Sequence, residues 1–383
     1  MVGRSIFMKK RIVELESLRG IMCFIIAFFY HYNWLMTNNF PIRAMSILYE
    51  KGYYVVETFF VLSGFGMALG YSEKLRSDNY NINIFAYLWM KMKKLFPIMT
   101  VTLLVTTISQ IIYILRNNSP FQVGEVTVYS FVFSLLNISA GWFCVDTTLN
   151  MPLWYLSGLM MDYIAYYVIC RISKLNRNRY LFLIFVFAIY GLSIVISGNN
   201  SDKPFMYYNI ARGHACFFVG TVLKEIYEYV NVKKAREILG NLCFIVLLSI
   251  AVLVFVITKD ETRVLASSQW LSQMVYGNVL SPMILWTCMF CKPISWLMRR
   301  KLLVDWGGKA TSIYIWHFPC YFFLRLILPQ QYIEEYGYRL WWYVCVILFI
   351  SIVGCFSNKY LEPWLNKKTE EVVKAIHYSP ADK

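Results

Sequence analysis

Charge is the scarce ingredient of this 383-residue chain: 15% of its residues are Asp, Glu, Lys or Arg, where soluble domains carry about 25%. A surface so poorly supplied is not that of an ordinary cytosolic enzyme. Glycine (19) and proline (11) are also few, and aromatic residues make up 18%. That combination excludes disorder and collagen-like repeats. Ten cysteines in so long a chain do not make a small disulfide-stapled secreted domain. Acidic residues number only 22 against 37 Lys and Arg, a net charge of +15. In a soluble protein that excess points to nucleic acid; in a membrane protein the question is which loops hold it.

Apolar length is what the chain has in excess, with 58% hydrophobic residues and a mean hydropathy of +0.49. A bilayer-crossing helix needs about 20 mostly apolar residues. Ten such runs stand out, at 18–36, 53–71, 95–115, 152–171, 180–197, 208–226, 241–258, 270–289, 311–328 and 341–360. The expected fold is therefore all-α, a polytopic membrane bundle of about ten transmembrane helices. An eleventh stretch, Val126 to Ala140, is short and interrupted by Asn137 and Ser139. With ten spans and both termini cytoplasmic, the inner loops, counted with Arg171 and Lys224 at span ends, hold 26 of the 37 basic residues and the outer loops 7. An eleventh crossing puts Arg171, Arg177 and Arg179 outside, against the positive-inside rule. The 126–140 stretch thus reads as an outer re-entrant or interfacial segment.

Glu14 and Glu16 precede the first span and no small-residue cleavage site follows it, which argues against a cleaved signal peptide. The longest loop, Arg116 to Met151, is too short for a soluble catalytic domain, so chemistry belongs in the membrane or at its faces. Most cysteines fall in or beside spans, where Cys behaves as a small hydrophobe. Cys288 and Cys291 form one isolated pair without a second pair or a nearby His, a poor zinc site, so no metal is expected. Gly64-x-Gly66 lies inside an apolar helix and reads as helix packing, not dinucleotide binding.

Ionisable residues inside a bilayer are costly and face a partner or a cavity. His31 and Glu57 sit at similar depth on neighbouring antiparallel spans. A carboxylate beside His31 would fix its tautomer and make it a general base; the alternative is a structural polar contact. Arg212 and His214 interrupt the sixth span, where Arg212 either clamps an anionic group, counters Glu57 or snorkels to the outer interface. Asp162, in mid-span, needs a partner. His317 reads as a satisfied interior His before a catalyst. Lys91, Lys93 and Lys94 at the cytosolic entrance to the third span suit a phosphate-rich ligand, although positive-inside bias also explains them.

These residues fall in motifs. Glu16-Ser17-Leu18-Arg19-Gly20 with His31 resembles the opening motif of the acyltransferase-3 family, bacterial multi-span membrane acyltransferases. Glu57-Thr58-Phe59-Phe60-Val61-Leu62-Ser63-Gly64-Phe65 is similar to its second motif. Leu153-Trp154-Tyr155-Leu156, Ser312 to His317 and Lys359-Tyr360-Leu361-Glu362-Pro363 match looser later ones. The resemblance covers roughly residues 10–365. It implies one integral-membrane acyltransferase domain over 1–365, a cytoplasmic tail over 366–383, and residence in the bacterial cytoplasmic membrane. It also implies transfer of an acyl group, usually acetyl, from acetyl-CoA or another acyl-CoA onto a hydroxyl of an extracytoplasmic or lipid-linked polysaccharide.

In that scheme His31 is the catalytic residue, assisted by Glu57. Arg19, Lys91, Lys93, Lys94, Arg212 and Trp154 bind substrates. No cofactor is bound, since acyl-CoA is a substrate. The partners are acyl-CoA, the polysaccharide acceptor, the lipid bilayer and potentially a second copy of the chain, with no nucleic acid. A covalent acyl-His route and direct transfer both remain open.

Two departures from the family pattern matter. Arg19 and His31 are twelve steps apart rather than eleven, which turns them about 120° from each other on a regular helix. Either a one-residue π-bulge restores the shared face, or the two do not line one cavity. The basic motif has lysines in place of Arg-x-x-x-Arg, hence point charges without a bidentate fork. A transporter or flippase with buried His, Glu and Arg is the rival reading. No Gly- or Pro-broken helices recur at matched positions in two halves to support it.

Overall fold

A computed structural model describes residues 12–37, 39–118, 125–142, 148–196, 208–257 and 269–377. The basic residues of the first predicted loop (Arg4, Lys9, Lys10 and Arg11) and the end of the tail, 378–383, lie outside the described residues. Every regular element among the described residues is helical. That is what a lipid solvent demands, because a helix satisfies its own backbone N–H and C=O groups.

Six helical stretches are long and apolar enough to cross a membrane: Arg43–Arg76, Phe96–Asn117, Leu153–Ser173, Arg177–Ile196, Lys233–Leu253 and Leu340–Lys374. A seventh is the bent pair Leu271–Phe290 and Lys292–Met298, which meet at 83°. Pro293 accounts for the bend, since it sits in the first turn of the second helix and cannot continue the one before. The remaining three of the ten expected spans are the helix through 13–36, Tyr208–Tyr229 and Lys301–Ile327. They have the length but not the apolarity. These are the helices that carry Arg19 and His31, Arg212 and His214, and His317.

The stretch around 126–140 contains only an eight-residue helix, Val128–Leu135. At 1.5 Å per residue it covers about 12 Å, far short of a roughly 30 Å hydrocarbon core. Its apolar residues Val128, Tyr129 and Val132 are exposed, and Ser130 and Ser134 are buried. The chain leaves it through left-handed Asn137 and Gly141.

Small residues set the closest approaches. The Glu57 helix, Val55–Arg76, packs along the Arg212 helix, Tyr208–Tyr229. A Cβ on Gly64 would strike the Phe217 carbonyl, and one on Gly220 the Val61 carbonyl. The helix-packing reading of Gly64 therefore holds. Gly66 is different, with nothing within 4 Å of its would-be Cβ. The Val13–Phe24 helix lies on the His317 helix, where Gly20 and Gly307 remove the side chains between them.

The nine described cysteines are all free, with Cys288 and Cys291 both buried. No group of three or more His, Cys, Asp or Glu suited to a metal occurs among the described residues.

Candidate active site

The first helix does not stay α-helical to its end. Val13–Phe24 passes into a π-helical segment, Ile25–Tyr30, and returns to α geometry at His31–Met36. The wider turn absorbs one residue. Twelve steps between Arg19 and His31 then turn about as far as eleven on a regular helix, close to three full turns, although His31 is not among the described residues that line the Arg19 cavity.

Arg19 lines a cavity of about 350 Å³ between the Arg19, Glu57, Asp162 and His317 helices. Its walls are largely apolar and aromatic, with Phe59, Tyr155, Tyr163 and Tyr314 among them. Gly66 opens the wall by lacking a side chain. Among the described residues, two cations reach it, Arg19 and Lys91, and no carboxylate lines it. Arg19 is held by Glu16 at 2.9 Å. Lys91 ends the short helix Ile84–Met92, its Nζ 3.1 Å from the centre of the Tyr71 ring. Burial, with Lys74 nearby, pushes the Lys91 ammonium down to about 7. Of the three lysines expected to dock a ligand, only Lys91 lines the cavity; Lys93 and Lys94 occupy the turn that follows, and Lys94 is exposed.

Tyr314 also lines the cavity, and its hydroxyl donates to the Pro152 carbonyl. One turn beyond, His317 is fully buried and its Nε2 lies 2.8 Å from Nδ1 of His31. The two rings lie 20° from parallel, and Phe318 stands edge-on to both. His31 keeps 7% of its surface exposed, while His317 keeps none.

Glu57 is not the partner of His31, as expected from depth alone. Its Oε1 accepts from Arg212 Nη1 at 2.6 Å. Depth along a span says nothing about the direction in which a side chain points, and Glu57 points at the helix it packs on most closely. Of the roles open to Arg212, the structure shows the counter-ion. Its guanidinium also sits 5.6 Å from the Trp154 ring centre, so Arg212 and Trp154 meet outside the lining of the large cavity. His214, two residues on, points away to Asp162, with Nδ1 and Oδ1 2.5 Å apart. That pair gives mid-span Asp162 the partner it needs. His214 also lines a second, apolar cavity of about 270 Å³ with Phe187, Tyr190 and Ile210.

The family matching the chain is described as "Acyltransferase domain" and covers residues 12–357. This chain belongs to the acyltransferase-3 family. Among its relatives is a protein named "Putative O-acetyltransferase SACOL0978" from Staphylococcus aureus strain COL, 24% identical over 358 residues. That alignment takes in 86% of this chain and 55% of the relative. O-acetyltransferase OatA of S. aureus strain NCTC 8325 is 22% identical over 353 residues, or 87% of this chain and 55% of OatA. The chain thus spans about half the length of these relatives. No solved structure matches it.

As a member of the acyltransferase-3 family, the chain brings its separate motifs together around the cavity. Ser63 of the second motif bonds Tyr155 of the third at 2.7 Å, and the Tyr155 hydroxyl also donates to the Phe59 carbonyl. Trp316, beside His317, donates to Ser357 at 2.8 Å, and Ser357 to Glu362 of the closing motif. Asn358 donates to Ser312 across the same junction. That junction includes a further π-helical segment, Ser357–Leu361. Reading the sequence missed three contributors: His317 as the neighbour of His31, Tyr155 as the bond to Ser63, and Gly66 as an opening in the cavity wall. The signal for the first was partial, because both are interior histidines but His31 lies in the outer half of predicted span 18–36 and His317 in the inner half of 311–328.

Proposed function

We propose that this protein is a multi-pass O-acyltransferase of the bacterial cell membrane, with ten spans and both termini cytoplasmic. It moves an acyl group, most simply acetyl, from cytosolic acyl-CoA to a hydroxyl of an extracytoplasmic or lipid-linked glycan. The observation that carries this reading is the join between cavity and histidine. A largely apolar chamber, lined among the described residues by two cations and no carboxylate, reaches Tyr314, one turn before His317, which meets His31 at 2.8 Å. Arg19 and Lys91 give the chamber the charge to receive a phosphorylated donor, and its apolar walls suit a pantetheine arm.

In this scheme His31 takes the proton from the acceptor hydroxyl as its oxygen attacks the thioester carbonyl. The tetrahedral intermediate collapses with loss of the CoA thiolate. The proton held by His31 then returns to that sulfur, so the products are the ester and free CoA. General-base assistance of this kind contributes about 10²–10⁴-fold in rate. Family membership and relatives named O-acetyltransferases support the reaction class. The distribution of basic residues supports the orientation. The same scheme makes residues 1–365 one catalytic domain and the remainder a cytoplasmic tail.

The test uses full-length protein in proteoliposomes with labelled acetyl-CoA inside and candidate glycans outside. Label should pass to glycan in the wild type and fall to background in His31→Ala. Undiminished transfer by that variant overturns the assignment. Glycan or lipid flux without any acyl-CoA favours a transporter instead.

A further inference from the structure

A general base must present a lone pair to the acceptor hydroxyl, and a neutral imidazole has only one. Which nitrogen of His31 holds it depends on what the other nitrogen meets. His31 Nδ1 faces His317 Nε2 at 2.8 Å. Two imidazoles can share such a bond in either direction, so the pair alone does not choose. The choice is made one step further out. His317 Nδ1 lies 2.6 Å from the carbonyl oxygen of Tyr314. A carbonyl only accepts, so His317 Nδ1 carries a proton.

We infer that His317 is a positioning residue that passes the direction of the Tyr314 carbonyl to His31 and thereby leaves His31 Nε2 as the base. With Nδ1 protonated, neutral His317 has its lone pair on Nε2. His31 Nδ1 must then be the donor across the 2.8 Å gap, and the His31 lone pair falls on Nε2. When Nε2 takes the proton of the acceptor hydroxyl, His31 becomes a cation that still donates to His317. The proton later leaves Nε2 for the departing sulfur, and His317 gains and loses none.

The surroundings suit this role. His317 is completely buried and so is out of reach of substrate, whereas His31 keeps some exposure. Tyr314, which supplies the carbonyl, is itself fixed through its hydroxyl to Pro152 and through ring contacts with Phe59 and Tyr155. Phe318 packs against both histidines and holds the rings in place. A neutral imidazole here does the orienting work that a carboxylate does in many His-based enzymes.

The inference rests on His31 being the base, and the test separates the two. Full-length wild type, His31→Ala, His317→Leu, His317→Gln and His317→Asn are assayed for transfer from labelled acetyl-CoA. A Gln side chain can place its amide oxygen where Nε2 stands and accept from His31, while Asn falls short. His317→Leu should lose about 10²–10⁴-fold in kcat, the scale of a misdirected or unassisted base, with the donor KM unchanged. His317→Gln should recover at least tenfold over the Leu and Asn variants. Nitrogen NMR of histidine-labelled wild type should show His31 protonated on Nδ1 alone.

Wild-type kcat in His317→Leu, or a His31 protonated on Nε2, overturns the inference. The NMR result decides it even if a variant fails to fold. Full activity in His31→Ala instead overturns the functional reading and leaves the tautomer question to the spectrum.

Discussion

Glu57 and Arg212 form the most enclosed ion pair between two helices, with Oε1 2.6 Å from Nη1 and side-chain exposures of only 2% and 11%. Glu57 Oε2 and Arg212 Nε are both buried and have no hydrogen-bond partner among the described residues. The pair ties the Glu57 helix to the Arg212 helix where Gly64 and Gly220 already bring the two backbones together. Removing one member leaves the other charge buried and uncompensated, which costs about 3–5 kcal/mol. Arg212→Ala should therefore destabilise the protein by about that amount. Replacing both residues with leucine should cost clearly less than the sum of the single changes. Unfolding of purified protein in detergent measures it, and additive losses would show that the two residues are not coupled.

Because Glu57 does not bond to His31, its removal has a distinctive kinetic signature. Glu57→Gln keeps the volume and an acceptor oxygen for Arg212 but removes its counter-charge, so stability should fall by less than in Arg212→Ala. The pH dependence of kcat should match wild type. A displaced pH profile would mean that Glu57 acts on the base after all.

Lys91 gives the donor side its own pH dependence. With its ammonium pushed down to about 7 by burial and by Lys74, the residue is cationic below that pH and neutral above it. Attraction for a phosphorylated donor is thus present at pH 6 and lost as pH rises to 8. The donor KM should rise over that interval by about three- to tenfold, less where a bound phosphate holds the proton on. Lys91→Arg should flatten the curve at the low KM, and Lys91→Ala should flatten it at the high KM. A slope that survives in Lys91→Ala would assign the effect to another group.

Gly64 and Gly66, two residues apart, should respond in opposite ways. At Gly64 an added methyl meets the Phe217 backbone, so Gly64→Ala should lower the unfolding temperature and cut expression. Gly66 has open space before it and lines the cavity. Gly66→Leu should keep the fold and raise the donor KM about tenfold or more by filling that space. Thermal unfolding and donor saturation curves on the two variants provide the comparison, and loss of fold at Gly66 would remove the cavity argument.

Much of this was legible in the sequence, and what was not has a physical cause. Hydropathy finds helices that face lipid, so six of the expected spans stand on apolarity and length. The His31, Arg212 and His317 helices escape that test because they spend their polarity on partners inside the bundle. Spacing pointed to the interior residues but not to their pairing. Glu57 and His31 share a depth, yet direction around each helix and the closeness allowed by Gly64 and Gly220 give Glu57 to Arg212. A mid-span Asp162 needs a partner, and His214 on the facing helix supplies it. The cavity was invisible beforehand because it is made by what four helices leave between them.

The twelve-step spacing of Arg19 and His31 was a discrepancy in sequence and is a π-helical segment in the structure. If that segment serves to absorb one extra residue, removing a residue there should be tolerated. Deleting Ala27 lets Ile25–Tyr30 close into regular α geometry while Arg19 and His31 remain about 20° apart around the axis. Transfer activity should stay within about tenfold of wild type, the loss reflecting a repacked turn. Deleting Met22 removes a residue from the regular α-helix instead. Unless the π segment unwinds to compensate, everything beyond it rotates by about 100°, and His31 is carried away from His317. That variant should lose about 10²-fold or more in kcat. Equal activities for the two deletions would show that the segment can relax to rescue either one, and equal losses that the π turn has a role beyond register.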